Sequence, residues 1–247
     1  MSEPTHTDGP PTVVLVHGAF ADASSWNGVI ERLLAKGVRV KAPANPLRGI
    51  SIDSSYIAGF FEETPGPILA VGHSYGGAVI TNAAAKADNV VGLVYVAAFA
   101  PDEGEILNDA EAGSKDSVLM SALVPLQYPK NGEAGIEFAI DPEKFHDAFA
   151  ADLPEEETAV MAATQRPVAE PAFSEATAAA AWKNRPSWAV VATGDKAAGA
   201  DVVRSMAERA GAKITNIEGS HVIMVSQPQA VTDVIMEAVE SVGDGGR

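Results

Sequence analysis

One serine of this chain stands between two glycines at the spacing expected of a nucleophile. The segment Gly72-His73-Ser74-Tyr75-Gly76 follows an apolar run typical of a buried strand and precedes a run typical of a helix. At so sharp a turn the serine backbone is strained, side chains in place of the glycines would collide, and the hydroxyl is lifted off the sheet. The helix N-terminus beside it favours a developing anion. The pattern therefore predicts that Ser74 is a catalytic nucleophile.

A serine hydroxyl needs a base to activate it, and the base needs an acid to orient it. Among the five histidines, His221 follows the last predicted strand and precedes the C-terminal helix. That position lies at the carboxyl edge of the sheet, so His221 is the predicted base. The other four histidines fit other places: His6 in the N-terminal segment, His17 at a buried structural position, His73 with its side chain directed away from the turn, and His146 on a solvated helix face.

The acid is expected between the serine and the histidine in chain order. Asp195 follows Gly194 at the carboxyl end of the predicted strand Ser187–Thr193, and we predict that it is this acid. Asp102, which follows the predicted strand Val90–Ala98, stays open as an alternative. Asp201 opens a predicted helix, so we interpret it as the N-cap of that helix.

The sequence also suggests an oxyanion hole and a pocket. The backbone N–H of Tyr75, next to the nucleophile, is one expected donor, and the N–H of Ala19 is the second, with Phe20 as the alternative. Seven apolar side chains close to these segments are candidates to line an acyl or alcohol pocket, although each could equally pack in the core: Phe20, Trp26, Phe99, Tyr128, Phe173, Trp182 and Val222.

These residues need a framework of alternating strands and helices. Strands are predicted at 12–16, 38–43, 67–71, 90–98, 187–193 and 212–218, and helices at 24–34, 53–63, 77–86, 200–210 and 228–242, the first capped by Ser24 or Ser25. Such alternation indicates βαβ units and a mostly parallel, doubly wound sheet of about six strands. At 247 residues the chain is long enough for one large α/β domain.

The stretch 101–185 interrupts this alternation, because we find helix starts at Pro142, Pro154 and Pro171 and no strand. We therefore expect an all-helical cap, inserted before the fifth strand, over the carboxyl ends where open α/β sheets bind ligands. Residues 12–100 and 186–242 form the predicted core, residues 1–11 a disordered lead-in, and residues 243–247 a frayed tail.

Composition limits the possible partners. The formal net charge of −16 disfavours binding to nucleic acid or to an anionic membrane. No apolar run is long enough to span a membrane, and the polar N-terminus does not resemble a secretory signal, so we expect a cytoplasmic protein. The absence of cysteine excludes thiolate catalysis and disulfides. No metal-ligand spacing or phosphate-binding loop is present, so we expect no cofactor and a small-molecule substrate, while the oligomeric state stays open.

With these residues in order, the chain resembles the α/β-hydrolases over its whole length. The His17-Gly18 strand end, the elbow around Ser74, Asp195 after a strand, and Gly219-Ser220-His221 follow the family order. The chain is most similar to small esterases grouped with plant methylesterases and hydroxynitrile lyases, which also begin with the strand before the His-Gly loop. The resemblance implies that Ser74, Asp195 and His221 form a catalytic triad.

Two differences refine this resemblance. Hydroxynitrile lyases of that group carry Thr at the position of Gly18 and Lys at the position of Val222, so the residues here favour ester hydrolysis. The family's acid is commonly followed by an apolar residue and a proline, whereas Lys196-Ala197-Ala198-Gly199 follows Asp195. We expect a serine hydrolase that cleaves a small, mostly apolar carboxylic ester or lactone through an acyl-enzyme. The alternatives are perhydrolysis or haloperoxidase-type chemistry, C–C bond hydrolysis, and an idle ligand receptor.

Overall fold

The computed structural model describes residues 9–130 and 132–243. The predicted lead-in and tail fall in part on residues 1–8 and 244–247, which lie outside the described residues. The strands are β1 (Thr12–Val16), β2 (Val40–Lys41), β3 (Ile68–His73), β4 (Val90–Val96), β5 (Leu123–Lys130), β6 (Glu133–Ile140), β7 (Val168–Ala169), β8 (Ser187–Ala192) and β9 (Lys213–Ile217).

The helices alternate with these strands. They are α1 (Asn27–Ala35), α2 (Ile50–Glu62), α3 (Tyr75–Ala83), α4 (Leu107–Ala112), α5 (Pro142–Phe149), α6 (Glu155–Thr164), α7 (Pro171–Ser174), α8 (Ala200–Arg209), α9 (Ile223–Ser226) and α10 (Pro228–Gly243). Short 3-10 helices cover Ala23–Trp26, Leu119–Ala122 and Ala181–Lys183. Among the residues that the structure describes, no helix has the length and apolar character that crossing a bilayer requires.

The central sheet has the order β2-β1-β3-β4-β8-β9, and every pairing in it is parallel. The predicted α/β fold with a doubly wound sheet of six strands is thereby confirmed. The strand order reverses at β1, which lies between β2 and β3. Val16 pairs with Gly72 in this register, so the loops that leave β1 and β3 lie side by side. Open α/β sheets bind their ligands at such a crevice.

Burial explains why these segments are strands. Every residue of β1, β3 and β8 is buried, as expected for parallel strands covered on both faces. Their valines and isoleucines have stiff, branched side chains that suit a pleated, packed surface. Helix α1 packs against α10, and α2 packs against α3, so that pairs of helices enclose the sheet. The result is a rigid frame for the loops at the carboxyl edge.

Several predicted boundaries differ from the structure. Asp22, and not Ser24 or Ser25, caps the first helical turn, because its carboxylate accepts the Ser24 N–H at 2.8 Å. The second strand is shorter than predicted, and α2 begins three residues earlier, after Gly49 with φ of 142°. Asp201 is not an N-cap: Gly199 holds that position, and Asp201 accepts hydrogen bonds from the segment Ser114–Lys115 instead.

The cap is not all-helical, which corrects the prediction. Strands β5, β6 and β7 form a three-stranded antiparallel sheet within it. Two residues separate β5 from β6, and Gly132 in this turn has φ of +90°. Pro125 and Pro129 in β5 look like strand breakers, yet an outer strand tolerates them. The three predicted helix starts are confirmed at α5, α6 and α7.

Candidate active site

The backbone at Ser74 is strained in the manner that the elbow pattern predicts. Ser74 connects β3 directly to α3 and has φ of 53° and ψ of −125°, a region that side-chain-bearing residues rarely adopt. The Ser74 N–H donates to the Val96 carbonyl, and its own carbonyl accepts from Gly77 and Phe99. The turn is therefore fixed by β4 and by the first turn of α3, with Ser74 only 7% exposed.

The two glycines of the elbow are required by close backbone contact. A Cβ at Gly72 would lie 2.5 Å from the Gly76 carbonyl oxygen, and one at Gly76 would meet the Val16 carbonyl. A Cβ at Gly18, on the neighbouring loop, would lie 2.7 Å from Ser74 Cβ. These distances are shorter than real Cβ contacts. Any side chain at these three positions would therefore push apart the loops that meet at Ser74.

The structure brings His221 and Asp195 together. His221 Nδ1 lies 2.9 Å from Asp195 Oδ2, and each side chain is 1% exposed. Asp195 follows β8 and His221 follows β9, so neighbouring parallel strands present them at one edge of the sheet. Among the described residues, neither His221 Nε2 nor Ser74 Oγ makes a hydrogen bond. The imidazole thus has one nitrogen engaged by a carboxylate and the other free.

The loop after Asp195 holds the carboxylate in place. The N–H groups of Ala197 and Ala198 donate to Asp195 Oδ1 at 2.9 and 3.1 Å, which leaves Oδ2 for the imidazole. A proline at either position would remove one of these donors. Because no proline stands in Lys196-Ala197-Ala198-Gly199, where this sequence departs from the family pattern, two backbone N–H groups of the loop can donate to the Asp195 carboxylate.

The two other buried histidines have structural contacts. His17 Nε2 accepts the Asn45 N–H at 2.9 Å, and burial lowers the pKa of His17 to about 4. His73 Nε2 donates to the His221 carbonyl at 3.0 Å, and burial lowers the pKa of His73 well below its ordinary value. His73 is therefore neutral and fixes the backbone of His221. His146 lies on α5, where its Nε2 is 3.1 Å from the Leu153 carbonyl.

Three backbone N–H groups are available near Ser74 for an oxyanion. Within the described part of the chain, the N–H groups of Ala19, Phe20 and Tyr75 donate no hydrogen bond. Tyr75 is the first residue of α3, where N–H groups have no partner inside the helix. Ala19 and Phe20 follow Gly18 on the loop that contacts Ser74, and Phe20 has φ of 60°. The candidate donors thus occupy the two loops that meet at the elbow.

An aromatic cluster covers these groups: Phe20, Tyr75, Phe145, Phe149 and Phe173. Ring centroids are 6.1 Å apart for Phe20 and Phe149, 6.4 Å for Phe20 and Phe173, and 6.2 Å for Tyr75 and Phe173. Phe149 lies 5.0 Å from the His221 ring. We did not predict Phe145 and Phe149, although their spacing of four on α5 marks one helix face.

The remaining pocket candidates lie in different surroundings. Trp26 packs edge-on against His73, and Phe99 donates its N–H to the Ser74 carbonyl. Val222 is fully buried directly after His221. Tyr128 lies on the cap hairpin under the Arg48 guanidinium, at 4.7 Å, and Trp182 donates to the Pro101 carbonyl beside Arg209. Neither Tyr128 nor Trp182 has a ring contact with the aromatic cluster.

Asp102, the alternative acid, lies apart from His221. Its carboxylate pairs with Lys183 at 2.5 Å, and this pair lowers the pKa of Asp102 below its ordinary value. Its side chain is 32% exposed, whereas the carboxylate of Asp195 is buried. The structure thus brings Asp195, and not Asp102, to the imidazole.

Two buried carboxyl groups near the site were not predicted. Asp53 accepts the hydroxyl of Tyr75 at 2.8 Å and the Arg48 N–H at 3.0 Å, and burial raises its pKa. Glu111 on α4 is 3% exposed, and burial raises its pKa to about 7. No sequence pattern distinguishes these acids from exposed ones, because their burial comes from packing between distant segments.

A cleft of about 340 Å³ opens beside the covered site. It lies between α6 of the cap and residues 20–28 of the core, and its lining includes Asp22, Glu157 and Met161. Phe20 forms part of its wall and also belongs to the aromatic cluster. Phe20 therefore separates this cleft from the covered catalytic groups.

Comparisons with known proteins agree with this architecture. Residues 13–234 match the model of a family described as the alpha/beta hydrolase family. No curated protein matches the sequence. Polyneuridine aldehyde esterase is 20% identical, with a TM-score of 0.79 over 93% of this chain and 99% of that chain.

Two further solved structures are similar. A pyrethroid hydrolase from Sphingobium faniae JZ-2 is 19% identical, with a TM-score of 0.76 over 93% of this chain and 97% of that one. A variant of tomato methylketone synthase I, solved with beta-ketoheptanoate, is 22% identical, with a TM-score of 0.76 over 95% and 99%. At these identities the likeness shows a shared fold.

Proposed function

The chain belongs to the alpha/beta hydrolase family, and from this premise we propose that it is a serine esterase acting on a small, mostly apolar carboxylic ester or lactone. The observation that carries the proposal is the buried pair of His221 Nδ1 and Asp195 Oδ2, 2.9 Å apart, with Nε2 of His221 left without a hydrogen-bond partner among the described residues. His73, the residue before the strained Ser74, is hydrogen-bonded to the His221 carbonyl and so brings the two loops together. The esterase and hydrolase named among the solved structures support the same reaction class.

The hydrogen-bond pattern around His221 supports a role as general base. A carboxylate only accepts hydrogen bonds, so Nδ1 of His221 carries a hydrogen and donates it in a hydrogen bond to Asp195. Nε2 is then the unprotonated nitrogen and can take the proton of Ser74. Catalytic hydrogen bonds are often incomplete before substrate binds, and the contact between Ser74 and His221 forms as the substrate enters.

The reaction then proceeds in two halves. Ser74 Oγ attacks the ester carbonyl while His221 Nε2 takes its proton, and the tetrahedral oxyanion accepts hydrogen bonds from the N–H groups of Tyr75 and Ala19. The C–O bond breaks as His221 returns the proton to the leaving alcohol, which gives an acyl-enzyme. Water, deprotonated by the same imidazole, attacks the acyl group and releases the carboxylic acid.

The aromatic cluster supports an apolar acyl group. Its five side chains carry no charge, and Phe149 covers His221 directly. An ionised acyl chain would lose its hydration in such surroundings without a paired charge, whereas an alkyl or aryl chain would gain free energy from burial. Ser74 and His221 are both almost fully buried, so the cap has to move away from them when the substrate binds.

A panel of p-nitrophenyl esters graded by acyl length tests this function. We expect turnover of short and medium chains, and labelling of Ser74 by a fluorophosphonate. Peroxide-dependent halogenation, measured beside ester hydrolysis, separates the perhydrolysis alternative. A stable ligand complex with no turnover of any ester would contradict the proposal and favour a receptor.

A further inference from the structure

Glu111 is a buried acid that the triad chemistry does not use. It lies on α4 with 3% exposure, and among the described residues it forms no ion pair. Its side-chain hydrogen-bond partner is Ser117, whose Oγ is 3.0 Å from Glu111 Oε1. A buried carboxylate without a cationic partner is strongly disfavoured, whereas a neutral carboxylic acid needs only hydrogen bonds.

The surroundings of Ser117 decide which form Glu111 takes. Ser117 Oγ lies 2.6 Å from the Ala197 carbonyl and also receives the Leu119 N–H at 3.3 Å. A hydroxyl has one hydrogen and two acceptor sites, and a carbonyl can only accept. The hydrogen of Ser117 therefore goes to Ala197, and the hydrogen between Ser117 and Glu111 has to come from the carboxyl group. Burial, which raises the pKa of Glu111 to about 7, agrees with this assignment.

Ala197 connects this arrangement to the triad. Its carbonyl accepts from Ser117, and its N–H donates to Asp195 Oδ1 at 2.9 Å. The same loop is held a second time, because the Val118 N–H donates to the Lys196 carbonyl at 2.8 Å. A chain of hydrogen bonds thus runs from Glu111 through Ser117 and Ala197 to Asp195, and from there to His221.

We propose that Glu111 is a positioning residue: as a neutral carboxylic acid it donates to Ser117 and thereby fixes the loop that presents Asp195 to His221. The proposal rests on the proposed esterase function. It also gives a reason why the loop after Asp195 needs no proline. Hydrogen bonds from Ser117 and Val118 of the cap restrain the loop that a proline would otherwise stiffen.

Ionisation of Glu111 would reverse this effect. The titratable groups that face Glu111 are Asp195 and His221, and α7, which packs against α4, carries no titratable side chain. An ionised Glu111 would repel Asp195 and would take the Ser117 hydrogen away from Ala197. Activity should therefore fall as Glu111 loses its proton.

Three variants test the proposal: Glu111→Gln, Glu111→Ala and Ser117→Ala. The amide of Gln donates to Ser117 but does not ionise. At about pH 6, below the pKa near 7, we expect kcat of Glu111→Gln to stay close to wild type, and both alanine variants to lose about fivefold to tenfold, the effect of one hydrogen bond. At about pH 9, wild type should fall below Glu111→Gln, whose profile stays flat on the alkaline side.

Equal pH profiles for wild type and Glu111→Gln would overturn the proposal, as would an equal loss in Glu111→Gln and Glu111→Ala at the lower pH. Circular dichroism confirms that each variant is folded. If wild type hydrolyses no ester, the proposed function fails, and infrared spectroscopy still tests Glu111. Wild type near pH 6 should show the carbonyl band of a neutral carboxylic acid that Glu111→Gln lacks. Identical bands in the two proteins would overturn the assignment.

Discussion

The ring of Phe149, on cap helix α5, lies 5.0 Å from the ring of His221, on the loop after β9. Phe149 also contacts Phe20 and Phe145, so one face of α5 reaches the catalytic histidine, while Phe173 on α7 contacts Phe20 and Tyr75 from another part of the cap. Tyr128 of the cap sheet contacts Arg48, and Trp182 contacts Pro101 and Arg209, so neither ring belongs to the aromatic cluster. Side chains on α5 are therefore better placed to select the acyl group than Tyr128 and Trp182, two of the three cap residues that the sequence suggests.

Phe149→Ala should change the preferred acyl length, because it enlarges the space over His221. Truncating a buried aromatic ring destabilises a protein by about 3–5 kcal/mol, so the measurement is a ratio of kcat/KM between long and short esters. One methylene in an apolar pocket is worth about 1–3 kcal/mol, and the ratio should shift by about tenfold or more. Trp182→Ala is the matched control, since its ring contacts Pro101 and Arg209. Equal shifts in both variants would disprove this role for α5.

Ser74→Ala should abolish ester hydrolysis without loss of the fold. Alanine meets the same backbone strain at φ of 53° as serine, and Ser74 is not hydrogen-bonded through its side chain among the described residues. The melting temperature should therefore stay near that of wild type. Loss of a triad nucleophile lowers kcat by about 10⁴ to 10⁶. Activity within tenfold of wild type would exclude Ser74 as the nucleophile.

Asp195→Asn and Asp102→Asn should differ sharply in their effect on kcat. Asparagine at 195 leaves the imidazole in the wrong tautomer, which lowers kcat by roughly 10³ to 10⁴. Asp102 pairs with Lys183 near the surface, and its replacement should leave kcat within a few fold of wild type. The opposite ranking would assign the acid to the loop after β4.

Glu111 should make stability depend on pH. Its pKa is raised to about 7 from an ordinary value of 4.5, so the folded protein binds a proton that the unfolded chain has already lost between these values. The stabilising contribution of Glu111 is then complete below pH 4.5 and is lost as pH rises through about 7, by about 3 kcal/mol in total.

Glu111→Gln lacks this dependence, so its melting temperature relative to wild type should rise from pH 4.5 to pH 7 and stay constant above it. Glu143→Gln on the exposed start of α5 serves as a control for the loss of one negative charge. A constant difference between wild type and Glu111→Gln across this range would show that Glu111 titrates normally.

Sequence reasoning was sufficient where one local pattern determines the structure. The strained turn at Ser74 needs glycines at 72 and 76, and that requirement is visible in the sequence. It failed for the cap sheet, because Pro125 and Pro129 make β5 resemble a loop, and without β5 the alternation of Ile136, Phe138 and Ile140 in β6 has no neighbouring strand to pair with. The roles of Glu111 and Ser117 depend on contacts between distant segments, such as the hydrogen bond from Ser117 to Ala197, 80 residues further along the chain. No local pattern encodes such contacts.

The outer strand of the cap sheet, β5, has no neighbouring strand on one side among the described residues. Val124 and Leu126 on β5 and Ile136 on β6 are 39%, 40% and 50% exposed. An apolar edge of this kind favours strand pairing between copies and hence aggregation. Pro125 and Pro129 have no N–H to offer an incoming strand, so the edge is interrupted at two of its eight positions. The prolines that look like strand breakers in the sequence therefore make this edge a poorer template for pairing with a second copy of the chain.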